Sequence, residues 1–472
     1  MGENRVKLYN TFTNKKEEFI PIEKNKAKIY ACGPTVYNYI HVGNSRPICV
    51  FDVLRRYLKY IGYDVTFVQN FTDVDNKIIK KAIEEKSDFL TVSKKYMEEY
   101  KKDAKGLNIK EANFHPKATE NIDEIIRIIK LLIDKKFAYS LPNGDVYFST
   151  RSFKDYGKLS GQTIDDLRSG ARIQIDELKK DPLDFALWKA AKSGEPYWES
   201  PWGKGRPGWH IECSAMAGRY LGKTIDIHCG GQDLIFPHHE NEIAQSECAN
   251  GVKFANYWLH NGYINVNSQK MSKSLGNFFT VREIAEKYGY EPIRYLMISS
   301  HYRSPINFSE EIIMQCKSAL ERLYTFEENL SFAIKNAEDS DDLQNPINLK
   351  GYKNKFIEEM DDDLNTADAL GVIFEYVKEV NLKVLSKSNT NKKALEEILS
   401  LFHEMTDVLG ILYNAKSNNN SLDVNEIESL IKEREIARQE KNWKRADEIR
   451  DELKSKNVII EDTAKGTKYS IK

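Results

Sequence analysis

The sequence lacks a long uninterrupted apolar run. A helix that spans a membrane needs about 18 or more apolar residues in a row, and even the apolar stretch Ile125–Ile133 contains Arg127 and Lys130. The start of the chain, Met1–Val6, has no apolar signal core and lacks the Ser or Thr of a myristoylation site. These absences argue against membrane spanning and export, so we expect a cytoplasmic protein.

An excess of charge of one sign is also missing, and cysteine is scarce. The chain has 70 Lys and Arg against 71 Asp and Glu, a formal net charge of -1, so attraction to a polyanion must come from local patches. Six cysteines are spread irregularly over 472 residues. Without a secretion signal, this pattern favours free thiols or metal ligands over disulfides. The alternative is that most are small buried apolar side chains.

The composition that is present belongs to a globular chain with several domains. A length of 472 residues suggests about three domains. A strand at Lys28–Cys32, a helix beginning near Pro47 and stopping at Gly62, and a strand at Val65–Val68 alternate as β-α-β. This order predicts a parallel sheet with ligands beyond the carboxyl ends of its strands. Because G-x-G-x-x-G is absent from the first turn, a dehydrogenase-type dinucleotide site is disfavoured.

The predicted fold class is α/β, with a Rossmann-like parallel-sheet domain at residues 1–114 and 206–308. Residues 115–205 have an amphipathic helix and a hairpin signal at Asn143-Gly144, which predicts an inserted connective region. Residues 309–415 keep helical spacing of apolar residues and predict an α-helical bundle. After a linker, residues 422–472 predict a small C-terminal module that is mostly one charged helix.

Two distant segments have the composition of phosphate-binding loops. His41, Gly43 and Asn44 precede a predicted helix, where backbone N–H groups favour phosphate and glycine permits close approach. Lys270 and Lys273 lie among small polar residues and suit a mobile loop that brings positive charge to a polyphosphate. Taken singly, each segment is more simply an ordinary loop histidine or a solvated lysine turn.

Together the two segments resemble the H-I-G-H and K-M-S-K-S signatures of class I aminoacyl-tRNA synthetases. Lys270–Ser274 matches the second signature letter for letter, and the first reads His41-Val42-Gly43-Asn44. Asn44 donates a hydrogen bond but, unlike the usual histidine, cannot carry charge. The resemblance implies that both segments bind ATP.

A second group of residues indicates a metal site. His238 and Glu242 are four positions apart on one face of a predicted helix, whereas His239 is expected to point elsewhere. Cys32 ends the first predicted strand, and Cys213 lies on another predicted helix. Two thiolates, an imidazole and a carboxylate suit Zn²⁺. A surface hydrogen bond between His238 and Glu242 is the alternative, and whether the four residues converge is open.

Longer stretches resemble the cysteinyl-tRNA synthetase family over most of the chain. They are Cys32–Tyr37, Trp209–Cys213 and Phe236–Glu242. His228–Asp233 resembles the family's H-G-G-G-x-D adenosine-side loop, with a cysteine in place of one glycine. Thr72–Lys77 resembles its T-D-x-D-D-K loop, with Asn76 where aspartate is common.

The resemblance assigns roles to individual residues. The implied zinc ligands are Cys32, Cys213, His238 and Glu242, with Cys229 a bystander. The implied ATP-binding residues are His41, Gly43, Asn44, Gly230, Asp233, Lys270 and Lys273, of which His41, Asn44, Lys270 and Lys273 also act in catalysis. The implied cysteine-binding residues are Thr72, Trp209 and His228.

The resemblance implies a ligase that joins cysteine to tRNA(Cys). The cysteine carboxylate is ionised at neutral pH and attacks ATP, held with Mg²⁺, to give cysteinyl-adenylate; the terminal adenosine of the tRNA then takes the cysteine. One Zn²⁺ per chain would bind the substrate thiolate, since pocket shape alone rejects serine by only about 1–3 kcal/mol. No editing domain is then needed, and we expect a monomer.

The terminal module is where this resemblance places the tRNA anticodon. Arg438, Trp443 and Asp447 lie on the predicted last helix and combine a stacking aromatic with hydrogen-bonding groups, as recognition of unstacked bases requires. The charge pattern alone fits a solvated helix equally well. Trp443–Asp447 and Glu461–Thr463 resemble the family's anticodon-binding tail, which adds Asp462 to the predicted contacts.

Three rival functions are also compatible with parts of the sequence. A mycothiol-pathway cysteine ligase has a similar catalytic part but lacks the tail, so residues 424–472 disfavour it. The intact Lys270–Ser274 segment argues against a non-catalytic zinc-containing RNA-binding protein. A zinc hydrolase is disfavoured because His238 and Glu242 do not form H-E-x-x-H.

Overall fold

The computed structural model describes residues 6–163, 179–266, 269–270, 279–337, 345–386, 391–414, 424–456, 458–463 and 466–471. The chain divides into two compact units. The first comprises Met1–Leu320, Gly351–Ile373 and Met405–Ile411; the second comprises Glu321–Lys350, Phe374–Glu404 and Leu412–Lys472. Among the described helices, none is long and apolar enough to cross a membrane.

A four-stranded parallel sheet forms the centre of the first unit. The chain begins with a hairpin of β1 (Lys7–Asn10) and β2 (Lys15–Glu18), then continues through β3 (Lys26–Ala31), α1 (Val42–Tyr60) and β4 (Asp64–Gln69). The two other strands of the sheet, β9 (Ile225–Gly231) and β10 (Ala255–Asn261), come later, and the order across the sheet is β10-β9-β3-β4. All neighbours are parallel, so the predicted fold class is confirmed.

Helices and an antiparallel insertion lie between β4 and β9 in sequence. The elements are α2 (Asn76–Glu84), α3 (Phe89–Gly106), α4 (Ile122–Asp134), β5 (Ala138–Ser140), β6 (Val146–Phe148), β7 (Phe185–Ala190), β8 (Gly205–Pro207) and α5 (Trp209–Leu221). Strands β5 to β8 pair in order as an antiparallel sheet. The predicted hairpin is present, and Gly144 supplies its left-handed backbone with φ 94°.

The chain that follows β9 completes the parallel sheet and adds a small second sheet. After β9 come short helical turns at Gln232–Leu234 and Ile235–His239, then α6 (Glu240–Asn250) and β10. The elements that follow are β11 (Ile264–Val266), β12 (Gln269–Lys270), α7 (Val281–Tyr288), α8 (Tyr290–Ile298) and β13 (Ile306–Phe308). The strands of this small sheet are ordered β12-β11-β13.

The remaining chain is mainly helical, as the apolar spacing predicts. Its elements are α9 (Glu310–Lys335), α10 (Leu349–Asp361), α11 (Thr366–Val380), a turn at Asn381–Leu385, α12 (Lys392–Leu409), α13 (Val424–Gln439), α14 (Trp443–Ser455), β14 (Val458–Thr463) and β15 (Gly466–Ile471). The last two strands form an antiparallel hairpin. In the second unit, Ile427 and Ile431 of α13 pack with Ile449 and Leu453 of α14 over this hairpin.

Buried apolar residues pack the sheet against α5 and α6. Met216, Ile243 and Trp258 share a core with Tyr30 and Ile225. A second core joins α4 to the insertion and to the outer sides of α5 and α6 through Ile129, Trp188, Ala215 and Ala244. These two cores fix both helices that contain predicted metal ligands.

Two predicted helix boundaries are wrong. Helix α1 starts at Val42 and not near Pro47, because His41 N–H donates to Asn44 Oδ1 at 3.2 Å and Asn44 N–H donates to His41 O at 2.8 Å, which closes the first turn. Helix α2 is capped by Asp75, which accepts from Lys77 N–H at 2.8 Å, and not by Thr72-Asp73.

The charged C-terminal segment was expected to be one helix, but the structure has two helices there. It forms α13 and α14, separated by Lys441 in the left-handed region with φ 59°. Asn442 then caps α14 by accepting from Arg445 N–H at 3.2 Å. Arg438 therefore lies at the end of one helix and Trp443 at the start of the next.

Candidate functional site

The four predicted zinc ligands meet at the carboxyl edge of the parallel sheet. Cys32 directly follows β3, Cys213 lies on α5, His238 lies in the turn before α6, and Glu242 lies in the first turn of α6. One donor atom from each of the four is within 4.8 Å of every other. Because parallel strands end at the same edge, residues far apart in sequence are brought together there. The convergence that the sequence left open is present in the structure.

The donor set fits a zinc ion. His238 Nε2 is 3.0 Å from Glu242 Oε1, and Cys32 Sγ is 3.7 Å from the same oxygen. A tetrahedral ion that binds sulfur at about 2.3 Å and nitrogen at about 2.0 Å separates its ligand atoms by about 3.3–3.8 Å. Cys213, His238 and Glu242 are at most 2% exposed, so the group has little competing water.

The electrostatics of these residues also favour a cation. Burial would lower the pKa of His238, but the Glu242 carboxylate and hydrogen bonds to Cys213 and Glu242 raise it to about 10. Burial would raise the pKa of Glu242, but His228 and His238 lower it to about 2. A hydrogen bond from Cys32 lowers the pKa of Cys213, whereas burial raises that of Cys32. The group therefore holds a carboxylate and a thiolate side by side.

The expectation that His239 points elsewhere is wrong. Its Nε2 is 3.3 Å from Cys32 Sγ and 4.0 Å from Glu242 Oε1. Cys32, His228, His239 and Glu242 consequently form a second candidate metal set that shares two members with the first. Zinc binds thiolates strongly, so the set with two cysteines is the better zinc site. The sequence missed the second set because only the turn at Ile235–His239 rotates His239 inward.

Two further histidines lie within hydrogen-bonding distance of His238 and His239. His210 Nδ1 is 2.9 Å from His238 Nδ1, and His260 Nε2 is 2.8 Å from His239 Nδ1. A partner on the second ring nitrogen fixes the orientation of a ligating histidine. Sequence reasoning missed both. His210 was within a motif that pointed to Cys213, and His260 has no spacing signal because it enters from β10.

The predicted cysteine-binding residues differ in accessibility. Trp209 is 39% exposed, and its ring stacks on His238 with centroids 4.2 Å apart. Thr72 Oγ1 donates to Glu212 Oε2 at 3.0 Å. His228 is fully buried, with Nε2 2.8 Å from Glu242 Oε2, and it is also a member of the second candidate metal set. Cys229, the predicted bystander, is buried with Sγ 3.5 Å from Tyr30 O.

The first phosphate-binding segment forms the start of α1. His41 and Thr280 form an isolated β-bridge, and Val281 N–H donates to Ile40 O at 2.9 Å. These contacts place the chain that follows the K-M-S-K-S segment beside the H-V-G-N turn. Lys270 lies on β12, with its backbone paired to Asn265, and the prediction for Lys273 lies outside the described residues.

The predicted adenosine-side residues lie at the end of β9. A Cβ at Gly230 would be 2.9 Å from Leu234 Cδ1 and 3.0 Å from His239 Cε1, so a larger residue there would displace side chains beside the candidate metal site. Asp233 lies in the turn Gln232–Leu234 that follows the strand. Their place beyond the carboxyl end of a parallel strand is where ligands of open α/β sheets bind.

Within the second unit, two of the predicted tRNA contacts bind each other. Arg438 Nη1 is 2.5 Å from Asp462 Oδ2, and Arg434 forms a two-pronged ion pair with the same carboxylate at 2.7 and 2.9 Å. Trp443 is 58% exposed and Asp447 is exposed on α14. Arg434 was missed, although its spacing of one helical turn from Arg438 is a usable signal.

Comparison with known families divides the chain into three matched regions. Residues 18–318 match the family described as tRNA synthetases class I (C) catalytic domain. Residues 355–413 match the DALR domain, and residues 424–469 match the cysteinyl-tRNA ligase anticodon binding domain.

Similar proteins extend over nearly the whole chain. A cysteine–tRNA ligase of Shouchella clausii is 54% identical over 465 residues, which cover 98% of this chain and 99% of that protein. A cysteine–tRNA ligase of Clostridioides difficile is 54% identical over 470 residues, with the same coverage of both chains.

Solved structures share the fold at low sequence identity. Methionyl-tRNA synthetase of Mycobacterium tuberculosis, in complex with methionyl-adenylate, has a TM-score of 0.60 at 15% identity and covers 81% of this chain and 89% of that chain. A leucyl-tRNA synthetase complex of Agrobacterium radiobacter has a TM-score of 0.60 at 11% identity, with 86% of each chain covered.

The parallel sheet, the two signature segments and the catalytic-domain match define a class I aminoacyl-tRNA synthetase. The matched tail and the identity over nearly the full length narrow the class further. The chain belongs to the cysteinyl-tRNA synthetase family, the ligases that use ATP to join cysteine to tRNA. Membership of this family decides against the three rival functions, and the predicted substrates cysteine, ATP and tRNA follow from it.

Proposed function

We propose that this ligase selects cysteine by binding the substrate sulfur at one Zn²⁺ per chain, held by Cys32, Cys213, His238 and Glu242. The observation that carries the proposal is the convergence of these four donors within 4.8 Å at the edge of the sheet. When bound there, zinc would supply a Lewis acid that binds a thiolate far better than an alcohol. This difference is the one that separates cysteine from serine.

The residues around the metal set prepare the pocket. Trp209 covers His238 and is partly exposed, so it forms a wall that an incoming amino acid can contact. Thr72 donates a hydrogen bond to Glu212, and this bond fixes the orientation of the Thr72 side chain. A shaped pocket of this kind would reject serine by only about 1–3 kcal/mol, so direct ligation of sulfur has to supply the rest of the selectivity.

For activation, we assign ATP binding to both signature segments and to the end of β9. The residues are His41, Gly43, Asn44, Gly230, Asp233, Lys270 and Lys273, with Mg²⁺ on the phosphates. The cysteine carboxylate needs no general base, since it is already ionised. The chain's task is therefore to align this nucleophile and to stabilise charge on the leaving pyrophosphate, the task assigned to His41, Asn44, Lys270 and Lys273.

For tRNA, we assign Arg438, Trp443, Asp447 and Asp462 to the anticodon. The exposed Trp443 offers a stacking surface, and each such contact contributes about 1–3 kcal/mol. The ion pairs of Asp462 with Arg434 and Arg438 hold its carboxylate in place, which lowers the entropy lost on binding. The domain boundaries at residues 114, 205, 308 and 415, the monomeric state and the cytoplasmic location belong to the same proposal.

The proposal is tested by measuring zinc content together with pyrophosphate–ATP exchange. Wild-type protein should contain about one zinc per chain and show exchange with cysteine but not with serine. Cys213→Ser should lose zinc and raise the KM for cysteine more than the KM for ATP.

The matched control is Cys229→Ser, which changes a buried cysteine on β9 that belongs to neither candidate set. It should retain zinc. Stoichiometric zinc in Cys213→Ser would contradict the assignment, and loss of zinc from both variants would show only that the core had been disturbed.

A further inference from the structure

The inserted strands bring two cations together beside the proposed cysteine pocket. β7 and β8 are antiparallel, and Lys189 is paired directly with Arg206 in their register. Directly paired residues project from the same face, with Cβ atoms about 4.5–5.5 Å apart. Like charges in this arrangement destabilise a sheet, so the pair costs stability unless an anion lies against it.

Both cations are also withdrawn from water. Arg206 is 5% exposed, and Lys189 is half-buried. Arg206 has partners: its Nη2 donates to Asn76 Oδ1, and its Nε is 3.4 Å from Glu195 Oε2. The Lys189 ammonium makes no hydrogen bond or ion pair with the residues that the structure describes, and the carboxylates of Asp75, Glu212 and Asp145 act on it only from beyond ion-pair distance. A half-buried ammonium without a partner is well placed to bind an anion from outside the chain.

The position of this pair connects it with the reaction. Asn76 begins α2, directly after the Thr72 loop, and Arg206 lies shortly before Trp209 at the start of α5. Glu212, the partner of Thr72, is among the charges that act on Lys189. Lys189 therefore lies near the amino-acid end of the proposed site, on a strand of the insertion.

Three anionic groups take part in this enzyme's reaction. The ATP phosphates are assigned to the α1 turn and the K-M-S-K-S segment. The cysteine carboxylate loses its charge when the adenylate forms, so it cannot occupy a cationic site during transfer. The last phosphodiester of the tRNA stays anionic, and its adjacent ribose must reach the cysteinyl carbonyl. An ammonium binds such a phosphate as a point charge.

We infer that Lys189, with Arg206 beside it on β7 and β8, binds the phosphodiester that joins the last two nucleotides of the tRNA. The inference rests on the proposed position of the cysteine pocket. It also gives a role to Asn76, which stands where the resembled family commonly has aspartate. An amide holds Arg206 without neutralising it, so the face stays more cationic than it would with a carboxylate at this position.

The test compares two substrates with two enzymes. Lys189→Met keeps the apolar stem and removes the charge, and one tRNA has a neutral methylphosphonate at its last internucleotide linkage. Single-turnover transfer from enzyme-bound cysteinyl-adenylate should fall by about tenfold to a hundredfold in the variant, as expected for loss of a charge-assisted hydrogen bond. The transfer rate of the wild type should fall by about the same factor with the modified tRNA. The transfer rate of the variant should be the same with the modified and the unmodified tRNA.

Pyrophosphate–ATP exchange without tRNA separates this inference from the proposed function. The variant should keep the wild-type KM for cysteine, whereas absence of exchange in the wild type would overturn the proposed function itself. Lys204→Met, at an exposed lysine beside β8, should transfer normally to both tRNAs. Each of three results would overturn the inference. The first is unchanged transfer by Lys189→Met, and the second is a raised KM for cysteine in its exchange reaction. The third is a further fall in the transfer rate when Lys189→Met is combined with the modified tRNA.

Discussion

The carboxylate of Asp52 on α1 should control the stability of the first unit. It is fully buried and lies 2.8 Å from Arg294 Nη2, 2.6 Å from Arg56 Nε and 3.2 Å from Arg55 Nη2. Removing one side of a buried ion pair leaves the remaining charge uncompensated and costs about 3–5 kcal/mol. Asp52→Asn keeps the shape but removes the charge, so we expect the free energy of unfolding to fall by about 3 kcal/mol.

The same carboxylate predicts how stability depends on pH. Burial would raise the pKa of Asp52, but Arg294, Arg56 and Arg55 lower it from 3.8 to about 2. A carboxyl with a lower pKa in the folded state stabilises that state at pH values above its unfolded pKa. This contribution, about 2 kcal/mol, should be lost as the pH falls from about 4 to about 2.

Urea unfolding followed by tryptophan fluorescence, at pH 7 and through the acid range, measures both effects. The control is Asp123→Asn, which breaks an exposed ion pair with Arg219 in which Asp123 is 74% exposed. Surface pairs contribute about 0–1 kcal/mol, so this variant should unfold almost as the wild type does. Equal stability of the Asp52 and Asp123 variants, or an Asp52 variant with the wild-type acid profile, would refute the reasoning.

Two further substitutions test other parts of the structure. Gly33→Ala should disrupt the turn after β3 and abolish most pyrophosphate exchange, because the added Cβ would lie 1.7 Å from Asn70 O. The control Gly218→Ala should remain active, since a Cβ there meets nothing within 4 Å. Normal exchange by Gly33→Ala would contradict this prediction and show that the turn can shift. Trp443→Ala should raise the KM for tRNA about tenfold to a hundredfold through loss of stacking while exchange stays normal, and an unchanged KM would remove Trp443 from the anticodon site.

The parallel sheet and the insertion could be predicted because their signals are local. Alternating β-branched strands and helices fix the β-α-β order, and Asn143-Gly144 fixes one hairpin. The starts of the helices were harder to predict from the sequence. The start of α1 depends on a reciprocal hydrogen bond between His41 and Asn44, and proline statistics favoured a later position.

The chemistry of Cys32, Cys213, His238 and Glu242 suggested a zinc site, but the sequence could not show that they converge, since Cys32 and Cys213 lie on separate elements and no spacing rule joins them. His239 was missed because its direction depends on the non-helical backbone of Phe236, with φ -135° and ψ 133°. The pairing of Lys189 with Arg206 depends on strand register. Residues 191–204 connect these two strands, so no short turn sets their register in a way that the sequence would reveal.

Zinc K-edge X-ray absorption of the wild-type protein tests the central claim most directly. With the ion held by Cys32 and Cys213, the spectrum should show two sulfur neighbours at about 2.3 Å, a third sulfur when cysteine is added, and no change with serine. A single sulfur in the free protein would indicate the set with His228 and His239 instead. An unchanged number of sulfur neighbours on adding cysteine would contradict recognition of the substrate through its sulfur.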